Sequence, residues 1–203
     1  MNTSIRLYPA TIILFSMSIL TTADALAANS SNPTTTPTAT LSPSNPFYAP
    51  STLPFKAPPF DKIKDTDFQP AIEAGMAQQQ AEIEAIANDP AAPTFDNTIV
   101  AMEKSGQLLD RVMAAFNGVT GASINPTLQE VQTAEAPKLA AHQDFIYLNE
   151  TLFARVTAIY KQRAALKLDP ESLRLVERYY DRFVHAGANL PEADKAELKK
   201  LNE

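Results

Sequence analysis

The sequence predicts an all-α fold of antiparallel helix pairs joined by short loops, and three observations support this. From Thr66 onward, apolar residues recur every three or four positions, the spacing of one helix face. Asn125-Pro126 and Asp169-Pro170 each place a capping side chain before a proline, which marks a helix start. No segment keeps the strict alternation of apolar and polar residues that is typical of a half-buried strand.

The first element, residues 1–27, is typical of a signal peptide. Arg6 precedes an apolar run from Ala10 to Leu20, and Ala25-Leu26-Ala27 matches an A-x-A cleavage site. The run is shorter than the roughly 20 residues that span a bilayer, although an uncleaved anchor is the alternative. We expect cleavage after Ala27, which predicts a periplasmic or secreted protein without a stable membrane anchor. A lipid anchor is excluded because the chain has no cysteine.

Two segments without predicted helix follow the signal peptide. Residues 28–46 are rich in Ser, Thr, Pro and Asn, so they offer little apolar surface to bury, and a flexible, disordered linker is predicted. The next stretch, to Lys64, contains prolines that block helix interiors and central strands. It is predicted to lie extended on a surface, pinned by four apolar side chains. These anchors are Phe47, Leu53, Phe55 and Phe60.

Six helices are predicted after Lys64. The first ends at Asn88 and carries an apolar face of Phe68, Ile72, Met76, Ile83 and Ile86, with Gln79 as its polar member. The second is predicted as one helix over 96–119, with Gly106 inside it, and the third runs over 125–148 with a kink at Pro137. The fourth covers 150–166 and the fifth 170–186, ended by Gly187.

The sixth helix is predicted to open at Pro191, and no stop signal follows it. We therefore expect the sequence to continue beyond Glu203. On this interpretation residues 47–203 are a helical region truncated in its last helix.

Composition excludes several classes of function. The 203 residues carry a formal net charge of -6 with a pI near 5.0, and no Lys/Arg cluster forms a basic stripe. A nucleic-acid-binding role is therefore not predicted. The absence of cysteine excludes disulfides, thiolate catalysis and cysteine-based zinc sites. Glycine-rich phosphate loops and the G-x-S-x-G elbow of serine hydrolases are absent as well.

The two histidines, His142 and His185, are far apart in the sequence. A zinc site needs three or four ligands, and neither histidine has a partner at a known motif spacing. Both are predicted to be ordinary surface or helix-face residues.

Acidic side chains are the next candidates for chemistry. Their spacing places most of them on polar helix faces, where solvated charge is expected. These residues are Glu73, Glu82, Glu84, Glu130 and Glu135.

Tyr179 and Tyr180, beside Arg178 and Arg182, suggest either a peptide groove or one core tyrosine and one at its edge. No catalytic, metal-binding or cofactor-binding residue is assigned from the sequence, and substrate-binding residues stay unknown.

Several short strings between Asn45 and Glu203 form a recognisable series. They include Asn45-Pro46-Phe47-Tyr48-Ala49-Pro50, Phe95-Asp96-Asn97-Thr98-Ile99, Met102-Glu103-Lys104-Ser105-Gly106 and Ile146-Tyr147-Leu148-Asn149. In this order they resemble bacterial peptidyl-dipeptidases (dipeptidyl carboxypeptidases), which belong to the thimet-oligopeptidase family of zinc metallopeptidases.

The resemblance implies the N-terminal helical lobe of a larger two-lobed helical metallopeptidase with a deep channel for short peptides. The family's zinc is held by the histidines of H-E-x-x-H and a further Glu, but this sequence contains no His-Glu pair. Zinc in the full-length enzyme is therefore expected from the resemblance alone, and this fragment should bind none and be inactive.

The function expected from the resemblance is that of an exported zinc peptidase that, at full length, releases dipeptides from the C-terminus of oligopeptides. This part would help wall the channel, and short peptides are the expected partners. The alternative is a free-standing helical module that binds a peptide or protein.

Overall fold

The computed structural model describes residues 40–202, and this part of the chain is helical without any β-strand. The helices are α1 (Phe68–Ala87), α2 (Ala101–Lys104), α3 (Gln107–Ala122), α4 (Pro126–Tyr147), α5 (Glu150–Gln162), α6 (Pro170–His185) and α7 (Glu192–Asn202). A π-helical segment, Phe95–Val100, leads into α2, and short 3-10 turns occupy Pro54–Lys56 and Asp65–Asp67. The predicted all-α class is confirmed.

Two sequence predictions concern residues that lie mostly or wholly outside 40–202. The predicted signal peptide, 1–27, and residues 28–39 of the predicted linker lie outside the described part. Within the described part, no helix has the length and apolar character needed to cross a membrane.

Local capping explains why several predicted helix ends agree with the structure. The Asn125 side chain accepts a hydrogen bond from the Leu128 amide (3.0 Å), and Asp169 accepts from the Glu171 and Ser172 amides. Each satisfies amides that the first helical turn leaves without partners. α4 runs from Pro126 to Tyr147 as one helix with Pro137 inside it.

The first core lies where α1 packs on α3 and α4. Its members are buried apolar side chains, among them Phe68, Ile72, Met76, Leu109, Val112, Phe116, Leu128 and Val131. Gly75 sits at the closest approach of α1 and α3, since a Cβ built there would lie 2.8 Å from the Cα of Leu109. Only a residue without a side chain lets the two backbones come this close.

The segment before α1 packs on the helices through a few side chains. Leu41 is buried in the first core and the Asn45 side-chain amide donates to the Asp67 carbonyl (2.9 Å), so these two residues of the predicted linker are held in place. Of the four predicted anchors only Phe47 is buried, against Phe68, while the other three are exposed. Those three are Leu53 (44%), Phe55 (103%) and Phe60 (55%).

The predicted second helix over 96–119 is wrong as a single element. The chain breaks at Ser105 and Gly106, and Gly106 adopts φ +75°, a left-handed conformation that ends α2 before α3 begins. The break has tertiary causes: the Glu82 carboxylate accepts from the Gly106 amide (2.7 Å), and the side chain of Gln79 fills the space that a Cβ would need.

The second core joins the end of α1, the π-helical segment, the end of α4, α5 and α6. Buried members include Ile83, Ile99, Met102, Ile146, Leu152, Val156, Ile159, Val176 and Phe183. Arg155 on α5 is also buried, and its guanidinium donates to the carbonyls of Asp89 and Ala91 and to the side chains of Asn97 and Thr98. This one side chain therefore holds the loop that enters the π-helical segment.

The C-terminal elements begin as predicted but differ in extent. α5 ends at Gln162 rather than Leu166, and Leu166 is partly exposed rather than inward. Gly187 follows α6 with φ +96°, and the Ala188 amide bonds the Phe183 carbonyl (3.0 Å), which closes the helix end. α7 then packs on α4.

Candidate functional site

One side of α6 borders an open cleft of about 600 Å³. Three arginines, Arg174, Arg178 and Arg182, recur along α6 at intervals of four residues, so they share one face of the helix. The lining residues are Glu103, Arg174, Leu175, Arg178, Tyr179, Asp181, Arg182 and His185. Glu103 comes from α2, and the other seven come from α6.

Aromatic rings fix the rotation of α6 about its axis. Tyr180 stacks on Tyr160 of α5, with ring centroids 3.9 Å apart and planes 7° from parallel. Phe183 is fully buried between Phe153 (5.6 Å) and Tyr147 (5.2 Å). Because these rings face the second core, the arginines of the same helix are directed to the cleft.

A smaller pocket of about 230 Å³ continues the cleft inward. It shares Glu103, Tyr179 and Arg182 with the outer cleft. Its other lining residues are Gln79, Ile83, Met102, Ser105, Leu109, Asp110, Gln143, Ile146 and Tyr147. The two spaces together are called the charged cleft below. Arg174, Arg178 and Asp181 line only the outer space, Asp110 lines only the inner one, and Glu103 and Arg182 line both.

Hydrogen bonds and burial set the charge states inside the charged cleft. The Tyr179 hydroxyl donates to Glu103 (2.7 Å), and burial together with this bond raises the pKa of Tyr179. Burial also raises the pKa of Tyr147, although the Arg182 guanidinium, 4.9 Å from the Tyr147 ring centroid, acts against it. Burial and repulsion from Glu103 raise the pKa of Asp110. The tyrosines are therefore neutral donors at pH 7, and the nearby Glu103 carboxylate disfavours the charged form of Asp110.

The charges of the cleft are only partly paired. Arg174 bonds Glu177 on its own helix (3.2 Å). Within residues 40–202, no ion pair engages Arg178, Arg182, Glu103 or Asp110. The outer end of the cleft therefore presents the Arg178 guanidinium together with the Asp181 carboxylate, and the inner end presents Asp110. A cleft with both signs of charge suits a ligand that carries both.

The two histidines are not brought together. His142 is 1% exposed between α1 and α4, with its Nε2 2.7 Å from the side-chain Oε1 of Gln79. It is therefore a helix-face residue, as one of the two predictions had it, and not a surface residue. Burial lowers the pKa of His142, which keeps its imidazole neutral at pH 7. His185 is exposed at the end of α6 and lines the charged cleft.

Most of the five glutamates lie at the surface, as predicted, and two do not. Glu135 is 1% exposed and accepts from Gln69 (3.0 Å) and Lys138 (2.9 Å). Glu82 is half-buried by its bond to the Gly106 amide. Glu84 and Glu130 are exposed, and Glu73 pairs with Lys138 at the surface. None of the five lines the charged cleft.

Both tyrosines are partly buried against the second core, so the structure does not divide them into one core and one edge residue. Tyr180 stacks on Tyr160, and Tyr179 lines the charged cleft beside Arg178 and Arg182, where a peptide groove stays a prediction. Glu103 and Asp110 were missed as site residues, because only the tertiary fold brings α2 and α3 to α6. The four-residue spacing of the α6 arginines was the signal available in the sequence.

The zinc that the family resemblance implies does not fit the described residues. Across residues 40–202, no group of three or more His, Cys, Asp or Glu side chains is placed to hold a metal ion. Since zinc needs three or four such ligands, no step of a metal-dependent reaction is assigned to these side chains.

Comparison with known proteins shows two close sequence relatives. The chain is 52% identical over 158 residues to a dipeptidyl carboxypeptidase of Salmonella typhimurium and 51% identical over 158 residues to a dipeptidyl carboxypeptidase of Escherichia coli. Each alignment covers 78% of this chain and 23% of the relative. The chain therefore spans about a quarter of the length of these relatives.

A more distant relative is oligopeptidase A of Salmonella typhimurium, at 20% identity over 138 residues, which cover 68% of this chain and 20% of that protein. No protein-family model matches the chain.

Proposed function

Because the chain is a relative of the bacterial dipeptidyl carboxypeptidases, we propose that it works as part of a peptidase that releases dipeptides from the carboxyl end of short peptides. The observation that carries the proposal is the 52% identity over 158 residues to a protein of that name. The weaker similarity to oligopeptidase A supports a peptidase of the thimet-oligopeptidase family.

The role proposed for the described helices is to wall the channel that admits the peptide. Two cores hold them in place, so the charged cleft has a fixed lining rather than one that must form on binding. Its exposed arginines and neutral tyrosine donors suit the carboxylate and amide groups of a peptide. Hydrolysis itself is assigned to zinc ligands that these residues do not supply.

Export to the periplasm, or secretion, is the second part of the proposal. It depends on the A-x-A site that ends at Ala27 and on the apolar run before it. N-terminal sequencing of the protein recovered from outside the cytoplasm should begin at Ala28. Exported protein that still begins at Met1 would contradict cleavage.

The activity is tested on the whole protein that the gene encodes, read through to its first stop codon. It should convert an amino-blocked hexapeptide to products two residues shorter and release free dipeptides, as followed by mass spectrometry. A chelator should stop the reaction and zinc should restore it. The 203-residue chain is the matched control and should release no dipeptide.

Three results would overturn the proposal. One is loss of single residues from the carboxyl end, and another is cleavage at internal bonds alone. The third is a stop codon directly after Glu203 in a gene whose product has no peptidase activity. That last result would favour the free-standing helical binding module, which the unpaired charges of the cleft equally suit.

A further inference from the structure

We propose that the charged cleft is a binding site for a short zwitterionic peptide, with the ligand's carboxylate on Arg178 and Arg182 and its ammonium group near Glu103 and Asp110. The choice of a dipeptide, the product of the proposed reaction, rests on the proposed function. The two-ended charge pattern does not depend on it.

The outer end of the cleft has the chemistry of a carboxylate site. Arg178 and Arg182 lie one helical turn apart, about 6 Å along α6 at 1.5 Å per residue. A guanidinium group presents a planar fork of donors that matches a carboxylate. Arg178 has no ion pair within the described residues, and Arg182 is held over the Tyr147 ring rather than against an acid. Both can therefore accept an anion without breaking an existing ion pair.

The inner end has the chemistry of an ammonium site. Glu103 is exposed, and its carboxylate accepts a hydrogen bond from the hydroxyl of Tyr179. Asp110 is close enough to Glu103 for repulsion to raise the pKa of Asp110. An ammonium group between the two carboxylates would remove that repulsion, so the pair gains from a bound cation. Ser105 and Gln143 add neutral polar groups to the same wall.

The size of the site agrees with a ligand of about two residues. An extended dipeptide spans roughly 7 Å, since each residue contributes about 3.3–3.6 Å. Glu103 of α2 accepts from Tyr179, the residue that follows Arg178, so this carboxylate lies beside the stretch of α6 that carries the arginines. The outer space of about 600 Å³ lies within the range of small-molecule sites. Because the cleft is open, solvent screens its charges and weak binding is expected, with a dissociation constant on the order of 1 mM.

The test is a nuclear magnetic resonance titration of the full chain with three ligands. The ligands are Ala-Ala, N-acetyl-Ala-Ala, which lacks the ammonium group, and Ala-Ala amide, which lacks the carboxylate. Ala-Ala should bind about fivefold more tightly than either blocked form, because each block removes one exposed ion pair. The largest shifts should be on α6 residues and near Glu103.

Matched variants assign each end of the ligand. Arg178→Gln should weaken Ala-Ala about fivefold and leave the amide unchanged, whereas Glu103→Gln should weaken Ala-Ala and leave the N-acetyl form unchanged. Lys199→Gln, an exposed charge change on α7, is the control and should alter nothing. Arg178 is exposed, so its variant should fold even if Glu103→Gln does not.

Three outcomes overturn the proposal. If the ligand at about 20 times the expected dissociation constant gives no shifts, or if all variants bind alike, the cleft is not the site. If N-acetyl-Ala-Ala binds as well as Ala-Ala, the cleft takes only the carboxyl end of a longer peptide. Each of these results leaves dipeptide release by the whole protein as a separate measurement, so the proposed function stands or falls independently.

Discussion

The two cores of this helical protein are stabilised in different ways. In the first, α1 and α3 approach so closely that Gly75 has no room for a Cβ, and polar side chains such as Glu135 are buried beside it with hydrogen-bond partners. In the second, α6 packs on α5 through stacked rings, with Phe183 fully enclosed.

This difference explains where a site can form. α1 is covered on two sides: its backbone lies against α3, and its polar side chains bond to buried groups of α4. Aromatic stacking uses only one side of α6, so the arginine-bearing side of the same helix stays open. Changes in the second core should therefore affect stability and the charged cleft together, whereas changes in the first core reach the cleft through Leu109, which belongs to that core and lines the inner pocket.

The largest effect is expected from Phe183→Ala in the second core. Removing a fully buried ring should lower the free energy of unfolding by about 4 kcal/mol, since truncation leaves a cavity as well as lost contacts. Chemical denaturation measures the change. Phe55→Ala is the control, because Phe55 is fully exposed and should change stability by less than about 0.5 kcal/mol. Equal losses at both positions would show that α6 is not held by its aromatic face.

Gly75→Ala tests the first core and should be next in size. The added methyl group would lie 2.8 Å from the Leu109 Cα, so α1 and α3 must separate, at about 2 kcal/mol. Gly118→Ala on α3 is the matched change, with no atom within 4 Å of the new methyl group. It should instead stabilise the protein by up to about 1 kcal/mol through helix propensity. The prediction fails if the two variants shift the denaturation midpoint in the same direction.

Acid should destabilise the protein through His142, by less than these substitutions do. Burial lowers the pKa of His142 in the folded state, so the unfolded chain binds the proton first as the pH falls. Its contribution is complete above the unfolded pKa of about 6.5 and is lost as the pH decreases toward the folded value. Denaturation midpoints between pH 8 and pH 5 measure this loss.

A single histidine variant separates this effect from general acid destabilisation. His142→Gln should flatten the pH dependence in that range. An unchanged slope in His142→Gln would assign the pH dependence to other groups.

Local signals explain the parts of the fold that the sequence predicted. The starts of α4 and α6 depend on Asn125 and Asp169, whose capping bonds reach only two or three residues along the chain. The inner face of α1 follows from helical spacing. Such features need no knowledge of neighbouring helices, so they could be recognised before the structure was known.

The features that were missed depend on contacts between helices. Gly106 breaks the predicted second helix because Gln79 and Glu82, on α1, meet it there. Glu135 is buried between α1 and α4, where its Oε1 accepts from Gln69 and Lys138, while its Oε2 has no hydrogen-bond partner in the described structure. The charged cleft could be predicted only in part. The spacing of the α6 arginines is present in the sequence, but the position of Glu103 opposite them is set by the fold.

The smallest effect is expected at the boundary between the second core and the charged cleft. Tyr179→Phe removes the hydroxyl that bonds Glu103 at 2.7 Å and keeps the ring in place. The free energy of unfolding should fall by about 1 kcal/mol or less, because Glu103 is exposed and water replaces the lost donor. Tyr180→Phe is the control: its ring stacks on Tyr160, no bond to its hydroxyl is present in the described structure, and stability should not change. A double-mutant cycle that combines Tyr179→Phe with Glu103→Gln measures the coupling energy between the two side chains. A coupling energy of zero would mean that Tyr179 is held by packing alone.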